Sequence, residues 1–268
     1  LKKITNNIYV ESQISVCNSS FVVFGEGVVV IDTPMLPASA KKWAAEAAKF
    51  GPIRYVINTE PHGDHISGDC YFGGTLITHE GTRDAILESK VEGMKDMLKR
   101  FAPGAELDKD FRFRPPDITL SQRLTFYLGD HTFRLIHMPG HTPYQVAVYV
   151  PEERAVFTSD NVVRGGIPFF HQALPDKWLK TLKNLEKLDV DYVIPGHGEV
   201  GDKYSFKEMH ETVTIWTDTV MKAIAKGMTK EEVLKNVDMF ARFPNLPRDE
   251  RSTGVIAMNL TRLYEILK

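Results

Sequence analysis

The sequence predicts an α+β fold: two similar β-rich halves packed sheet against sheet with helices outside, followed by an all-helical extension. Three features carry this expectation. The first is an internal echo. Phe21 to Asp32 reads as a β-hairpin ending in Asp, and so does Val146 to Asp160. Each is followed by a helix and a short apolar strand, Tyr55-Val56-Ile57 and Tyr192-Val193-Ile194, that runs into a loop bearing His. The second is the density of side chains suited to bind metal at those strand ends. The third is a change of period near the C-terminus, where strand-like runs give way to apolar steps of three and four residues. Two face-to-face sheets would bury both sets of strands and bring their ends to one edge of the sandwich. The expected organisation is a sandwich domain over residues 1–203 and a helical extension over 204–268, packed on it or at a subunit interface.

In chain order, Asn7–Glu11 and Ser20–Phe24 read as strands, and Val28–Ile31 continues after the Gly25-Glu26-Gly27 turn as a β-branched run ending at Asp32. Pro37–Phe50 reads as a helix with Trp43, Ala44, Ala47 and Ala48 on one face, stopped by Gly51-Pro52. After the Tyr55–Ile57 strand and its loop, a helical turn is expected around Ile66–Tyr71 and a strand at Thr75–Thr78. Gly81–Phe101 reads as one amphipathic helix, and Ala102–Ile118, with Pro103, Pro115 and Pro116, as a crossing loop. Four strands follow at Leu124–Leu128, Thr132–His137, Gln145–Val150 and Ala155–Thr158, the last closed by Asp160. Gly165–His171 reads as a loop, Trp178–Leu188 as a helix and Asp191–Ile194 as a strand. In the extension, Phe206, Met209, Val213, Trp216, Val220 and Ala223 mark one amphipathic helix, ended by Gly227. Thr229 with Glu232 forms a capping-box signature, and Asp249–Lys268 reads as a final helix. These apolar stripes suit core packing or a homodimer contact.

Composition narrows the class. The chain has 268 residues, 43% hydrophobic and 25% charged, with a net charge of −2, ordinary for a soluble globular protein. That balance carries no footprint for nucleic acid. Cys17 and Cys70 imply no disulfide framework. No apolar run of membrane-spanning length occurs, so no membrane partner is expected, and a small molecule is the expected substrate. With no signal-peptide pattern the expected location is the cytoplasm, although the chain begins at Leu1 rather than Met, as it would after removal of a leader.

Chemistry concentrates in four loops. Within Glu60-Pro61-His62-Gly63-Asp64-His65, four potential ligands fall in six residues. Packing His and carboxylate so densely is costly unless something positive sits between them. One divalent metal, or a pair, removes that cost. Met138-Pro139-Gly140-His141-Thr142-Pro143, Ser159-Asp160-Asn161 and Pro195-Gly196-His197-Gly198 each place further ligand types beside a short apolar run. Small neighbours leave each imidazole free to reach a metal.

In the order and spacing of these motifs, from roughly Ile8 to Val200, the chain resembles the metallo-β-lactamase fold hydrolases. The resemblance implies a four-layer αββα sandwich with a two-metal site in a groove at its edge, so that residues 1–203 would be the catalytic domain. Metal 1 would take Glu60, His62 and His141; metal 2 would take Asp64, His65 and His197; Asp160 would bridge them and Asp32 would orient ligands or the bound water. Asp64, Asp32 and His171 are the candidate catalytic side chains.

One departure stands out: the family's His-x-His-x-Asp-His loop has Glu60 in place of its first His. Glu60, Asp64 and Asp160 contribute −3, a bridging hydroxide −1 and two divalent ions +4, giving a neutral cluster; with His at 60 it would be +1. Zinc remains the first expectation, with manganese or iron favoured by the extra carboxylate. The alternative is that Glu60 points away and the site holds one metal.

The implied reaction is attack by a metal-bound hydroxide on a small ester, lactone, thioester or amide. The alternatives are an iron-dependent, persulfide-dioxygenase-like oxidoreductase and a non-catalytic binding member. Asp160 stands where Cys-containing lactamases carry Cys, and Val163 stands where acyl-homoserine lactonases carry Tyr. His62 stands where flavodiiron proteins carry Glu, the inserted domain of nucleases has no room here, and the tail lacks a convincing basic glutathione site. If the loops after Asp32 and Asp160 flank the metals, Met35, Leu36, Arg164, Phe169 and Phe170 line an apolar pocket, with Arg164 or His171 available to an anionic group. Phe169 and Phe170 could equally be core plugs.

Overall fold

The computed structural model describes residues 1–12 and 17–268. Among them, the first sheet runs in chain order through β1 (Lys2–Lys3), β2 (Ile8–Glu11), β3 (Ser19–Phe24), β4 (Gly27–Ile31), β5 (Ile53–Ile57), β6 (Thr75–His79) and β7 (Ile118–Leu120). It is antiparallel up to β4 and parallel beyond. The second sheet has the order β12-β11-β10-β9-β8, from β8 (Arg123–Leu128), β9 (His131–His137), β10 (Val146–Val150), β11 (Ala155–Val163) and β12 (Tyr192–His197), with only β11 and β12 parallel.

Val28–Ile31 shows why the sheets stack. Every residue of β4 is buried, as a strand covered on both faces requires. Val29 and Ile31 face the second sheet with Phe133, Leu135 and Phe157. Val28 and Val30 face Trp43 and Ala47 of α1 (Pro37–Ala48). On the far side, Trp178 and Leu182 of α5 (Pro175–Leu185) pack with Phe206 and Trp216 of α6 (Tyr204–Ala225) and with Leu260 and Leu263 of α9 (Glu250–Leu267). The layers are therefore helix, sheet, sheet, helix, and the C-terminal helices share one core with α5. The remaining helices are α2 (Gly63–Ile66), α3 (Glu80–Glu88), α4 (Val91–Phe101), α7 (Lys230–Asn236) and α8 (Met239–Arg242). The Thr229–Glu232 capping box opens α7, and Gly227 ends α6 at φ 77°. No helix among the described residues is long and apolar enough to cross a membrane.

Some elements differ from expectation. The helix read over Gly81–Phe101 is two, because Ser89 is extended (φ −66°, ψ 138°) and its hydroxyl donates to the Ala85 carbonyl at 2.8 Å. The break lets α4 turn Met94 and Leu98 onto Met35 and Phe111. The helix read over Trp178–Leu188 starts earlier, at Pro175, whose ring suits a first turn. The strand expected to close at Asp160 continues to Val163, with register shifts against β12 that re-aim residues 159–160. Strand β7, too short to alternate, begins at Ile118, the last residue of the expected loop, and was not expected.

Candidate metal centre

The ends of β4, β5, β11 and β12 meet at one edge, and each contributes to a single cluster. Asp32 leaves β4 in a left-handed conformation, φ 53°, unusual for a side chain other than glycine and found where neighbours over-determine it. Those neighbours are visible. Asp32 accepts hydrogen bonds from Thr59 N at 2.8 Å and Thr59 Oγ1 at 2.6 Å, and its Oδ2 takes the Nδ1 hydrogen of His65 at 2.9 Å. That bond leaves the lone pair of His65 on Nε2, aimed inward. His141 is set likewise, its Nδ1 donating to the Phe169 carbonyl at 2.8 Å. His62 has Nε2 against Gln172 Oε1 at 3.2 Å and turns Nδ1 inward.

The inward atoms form three overlapping trios: Glu60, His62 and His141; Asp64, His65 and His197; and Glu60, His65 and Asp160, the ligand atoms of each lying within 4.8 Å of one another. Asp160 lies between the first two trios, with Oδ1 at 3.4 Å from His65 Nε2 and Oδ2 at 3.7 Å from His141 Nε2 and 3.2 Å from His197 Nε2. Glu60 is fully buried and points into the cluster.

The residues fit a divalent cation. His65 Nε2 and Asp160 Oδ1 are buried without a hydrogen-bond partner, and three carboxylates crowd into one small volume. Such a set needs protons or a cation between its members. Electrostatics point the same way. Burial alone would lower His197, yet the charges of Asp160 and Asp64 push it up to about 10. Burial alone would raise Asp160, yet His197 and His65 hold it well below the usual carboxylate range. Oxygen and imidazole donors without thiolate suit a hard or borderline divalent cation. Cys17 lies beneath the cluster, its Sγ donating to the Asp64 carbonyl at 2.9 Å, and burial pushes its thiol up.

Other supporting residues carry no periodic signal. Asn161 Oδ1 accepts from His141 N at 3.0 Å, and Asn18 Nδ2 donates to Pro195 O at 2.9 Å and Gly198 O at 2.7 Å, fixing the His197 loop. Below His65, the Thr33 backbone N–H donates to the His65 carbonyl and its hydroxyl to Asp69 Oδ1, while the Asn58 amide donates to both. Among the described residues no basic side chain is bonded to Asp69, and burial pushes its carboxyl up to about 7. Its folded-state value thus lies above its unfolded one, so its contribution is fully present below about pH 4 and lost as pH rises through 7. Over that window stability should fall by at most about 1.4 kcal/mol per pH unit. Asp69→Asn is therefore expected to flatten the decline in melting temperature between pH 4 and 7. Parallel melting curves for the two proteins would contradict this.

The candidate pocket residues separate. A cavity of about 700 Å³ opens over the cluster. Phe169 and His171 line it together with Met97 and Phe101 of α4 and Val255 and Met258 of α9. Arg100 and Arg251 also line it, their guanidinium groups 5.2 and 5.8 Å from the Phe101 ring centroid. His171 sits 4.7 Å from the His62 ring, and burial and the neighbouring imidazoles push it down to about 4. The expectation fails for Met35 and Leu36, because α4 covers the loop after Asp32 and packs both into a side cluster with Met94 and Leu98. It fails for Phe170, fully buried against Trp178 and Trp216. Arg164 donates to Glu199 O and Val200 O and lines an adjoining cavity, with Val163, Gly165 and Gly166 common to both. Phe169→Ala is expected to raise KM with the fold intact, whereas Phe170→Ala should cost about 3–5 kcal/mol of stability. Thermal melts beside kinetics distinguish the two.

The sequence profile of the metallo-beta-lactamase superfamily matches residues 14–197. The linear primary-alkylsulfatase of Pseudomonas sp. is 21% identical over 256 residues, covering 80% of this chain and 48% of that enzyme. The metallo-beta-lactamase type 2 of Elizabethkingia meningoseptica is 23% identical over 230 residues, covering 80% and 84%. Among solved structures, the stereoselective inverting sec-alkylsulfatase Pisa1 from Pseudomonas sp. matches with a TM-score of 0.76 at 15% identity, over 98% of this chain and 49% of that one. The chain thus spans about half the length of these alkylsulfatases. At such identity the structural likeness shows the fold alone.

Proposed function

The chain belongs to the metallo-beta-lactamase superfamily, and from that premise we propose that it hydrolyses a small ester, lactone, thioester or amide with the help of two divalent ions. The observation that supports this best is the convergence of seven ligand-type side chains in overlapping trios, with Asp160 between them. In this reading Glu60, His62 and His141 hold one ion, Asp64, His65 and His197 the other, and Asp160 both. Bound ions would lower the pKa of a water and polarise the bond under attack.

The chain's own side chains set the rest. Asp32 holds the His65 tautomer through the 2.9 Å bond to Nδ1. His171, depressed to about 4, is neutral at pH 7 and offers the groove a hydrogen-bonding ring without charge. Phe169, Phe101 and Met97 offer an apolar surface to a substrate body, and Arg100 and Arg251 place two cations in a lining that also carries Asp96 and Asp249, so the effect of substrate charge is part of the test. Glu60 tilts the centre toward harder ions than an all-His first trio would.

Elemental analysis of protein purified without added metal comes first. Hydrolysis of ester, lactone, thioester and amide panels, including matched neutral and carboxylated esters, follows with Mn²⁺, Fe²⁺ and Zn²⁺ separately. Divalent metal uptake and turnover of one of these classes is expected. Oxygen uptake with a persulfide as the only turnover would overturn the hydrolase reading, and two tightly held zinc ions per chain would overturn the preference for harder ions.

A further inference from the structure

Glu60 is held in an unusual way for a ligand. Its Oε1 accepts two hydrogen bonds, from Ser159 Oγ at 3.0 Å and from Gln145 Nε2 at 3.4 Å. Both donors are buried, Ser159 at 3% and Gln145 at 0% exposure. Its Oε2 faces His62 Nδ1 at 2.5 Å and His141 Nε2 at 3.8 Å. A carboxylate oxygen has two lone-pair sites, and those of Oε1 are taken. We propose that Ser159 and Gln145 are positioning residues that clamp Oε1, so that Glu60 offers a cation Oε2 alone. The clamp also disfavours bidentate or bridging coordination, although Oε1 lies only 3.5 Å from His65 Nε2. A carboxylate restrained in this way presents one donor atom, as the imidazole it replaces would. The inference rests on the reading of the cluster as a metal centre.

A second, independent observation concerns Ser159. It adopts a left-handed backbone, φ 49°, at a register shift of β11 against β12. Serine gains nothing locally from that conformation, which persists where the surroundings over-determine it. The irregularity breaks the regular alternation of side chains at the position whose hydroxyl reaches Glu60. Gln145 is anchored too. Its Oε1 accepts from Thr142 N at 3.3 Å, which turns its Nε2 toward Glu60 and ties the clamp to the His141 loop.

Ser159→Gly separates the alternatives, because it relieves the backbone strain while removing the hydroxyl. Dissociation constants for Mn²⁺ and Zn²⁺, from competition with a chelating dye, are measured for the wild type, Ser159→Gly and Gln145→Met, and for Ser159→Gly on a Glu60→His background. Melting of the metal-free proteins is followed in parallel. Ser159→Gly is expected to melt at or above the wild type yet bind metal about 10-fold or more weakly, with Gln145→Met acting in the same direction. On the Glu60→His background Ser159→Gly should change affinity little, because the clamped oxygen is gone. An equal loss there would show that the effect does not run through Glu60, and unchanged affinity in the single variants would likewise overturn the clamp while leaving the metal centre intact. A wild type that takes up no divalent ion overturns both the clamp and the reading beneath it.

Discussion

Asp160→Ala is expected to lose hydrolytic activity by about 10³-fold or more and to retain fewer divalent ions per chain than the wild type. The size of the effect follows from position. Asp160 is the carboxylate whose oxygens approach His65, His141 and His197 together, at 3.4, 3.7 and 3.2 Å, so its removal weakens both halves of the proposed centre. The fold should survive. Removing Asp160 takes away one of three crowded negative charges, and its neighbours Thr158 and Asn161 keep their own bonds to Ile194 O and Met138 O. Metal content and kcat/KM of the same preparation give the test. Wild-type activity with full metal content would remove Asp160 from the site. Asp160→Asn, which keeps shape and loses charge, should fall between the two.

Glu60→His is expected to shift preference toward zinc, raising the ratio of Zn²⁺ to Mn²⁺ affinity by about 10-fold or more. The substitution replaces an oxygen donor with an imidazole and makes the loaded cluster one charge more positive. A more positive centre is a stronger Lewis acid and holds a more acidic water. The acid limb of the kcat/KM profile should therefore move to lower pH in the zinc-loaded variant. Titration of metal-free protein with each ion, followed by pH profiles of both enzymes, checks the two parts separately. An unchanged affinity ratio would mean that the carboxylate does not set metal preference.

Much of this site was legible in the chain. Glu60, His62, Asp64 and His65 fall within six residues, so local geometry alone keeps them together. His141, Asp160 and His197 stood out because each lies in or beside a short apolar run that reads as a strand, and the order and spacing of the motifs, which resemble those of the metallo-β-lactamase fold, joined them to the cluster. The β-branched run Val28–Ile31 was legible for the same reason, since a strand buried on both faces has a near-continuous apolar sequence. The break at Ser89 was not, because the apolar spacing of Ile86, Val91, Met94 and Leu98 runs through it while a single hydroxyl-to-carbonyl bond accompanies the turn.

By itself the sequence determined the strand runs, the capping signals and the dense His and carboxylate loop at residues 60–65, because those depend on residues close together or on simple period. Only the tertiary structure decided which side chains surround the cluster. Phe169 and Phe170 are adjacent, yet one lines the groove and the other is sealed beneath Trp178 and Trp216. Met35 was lost to the core when α4 closed over it, and Phe101 and Met258 reached the groove from helices far away in the chain. Ser159 and Gln145 meet Glu60 across 99 and 85 residues. A side chain in a loop has no period, so its direction is set by whichever distant element packs against it.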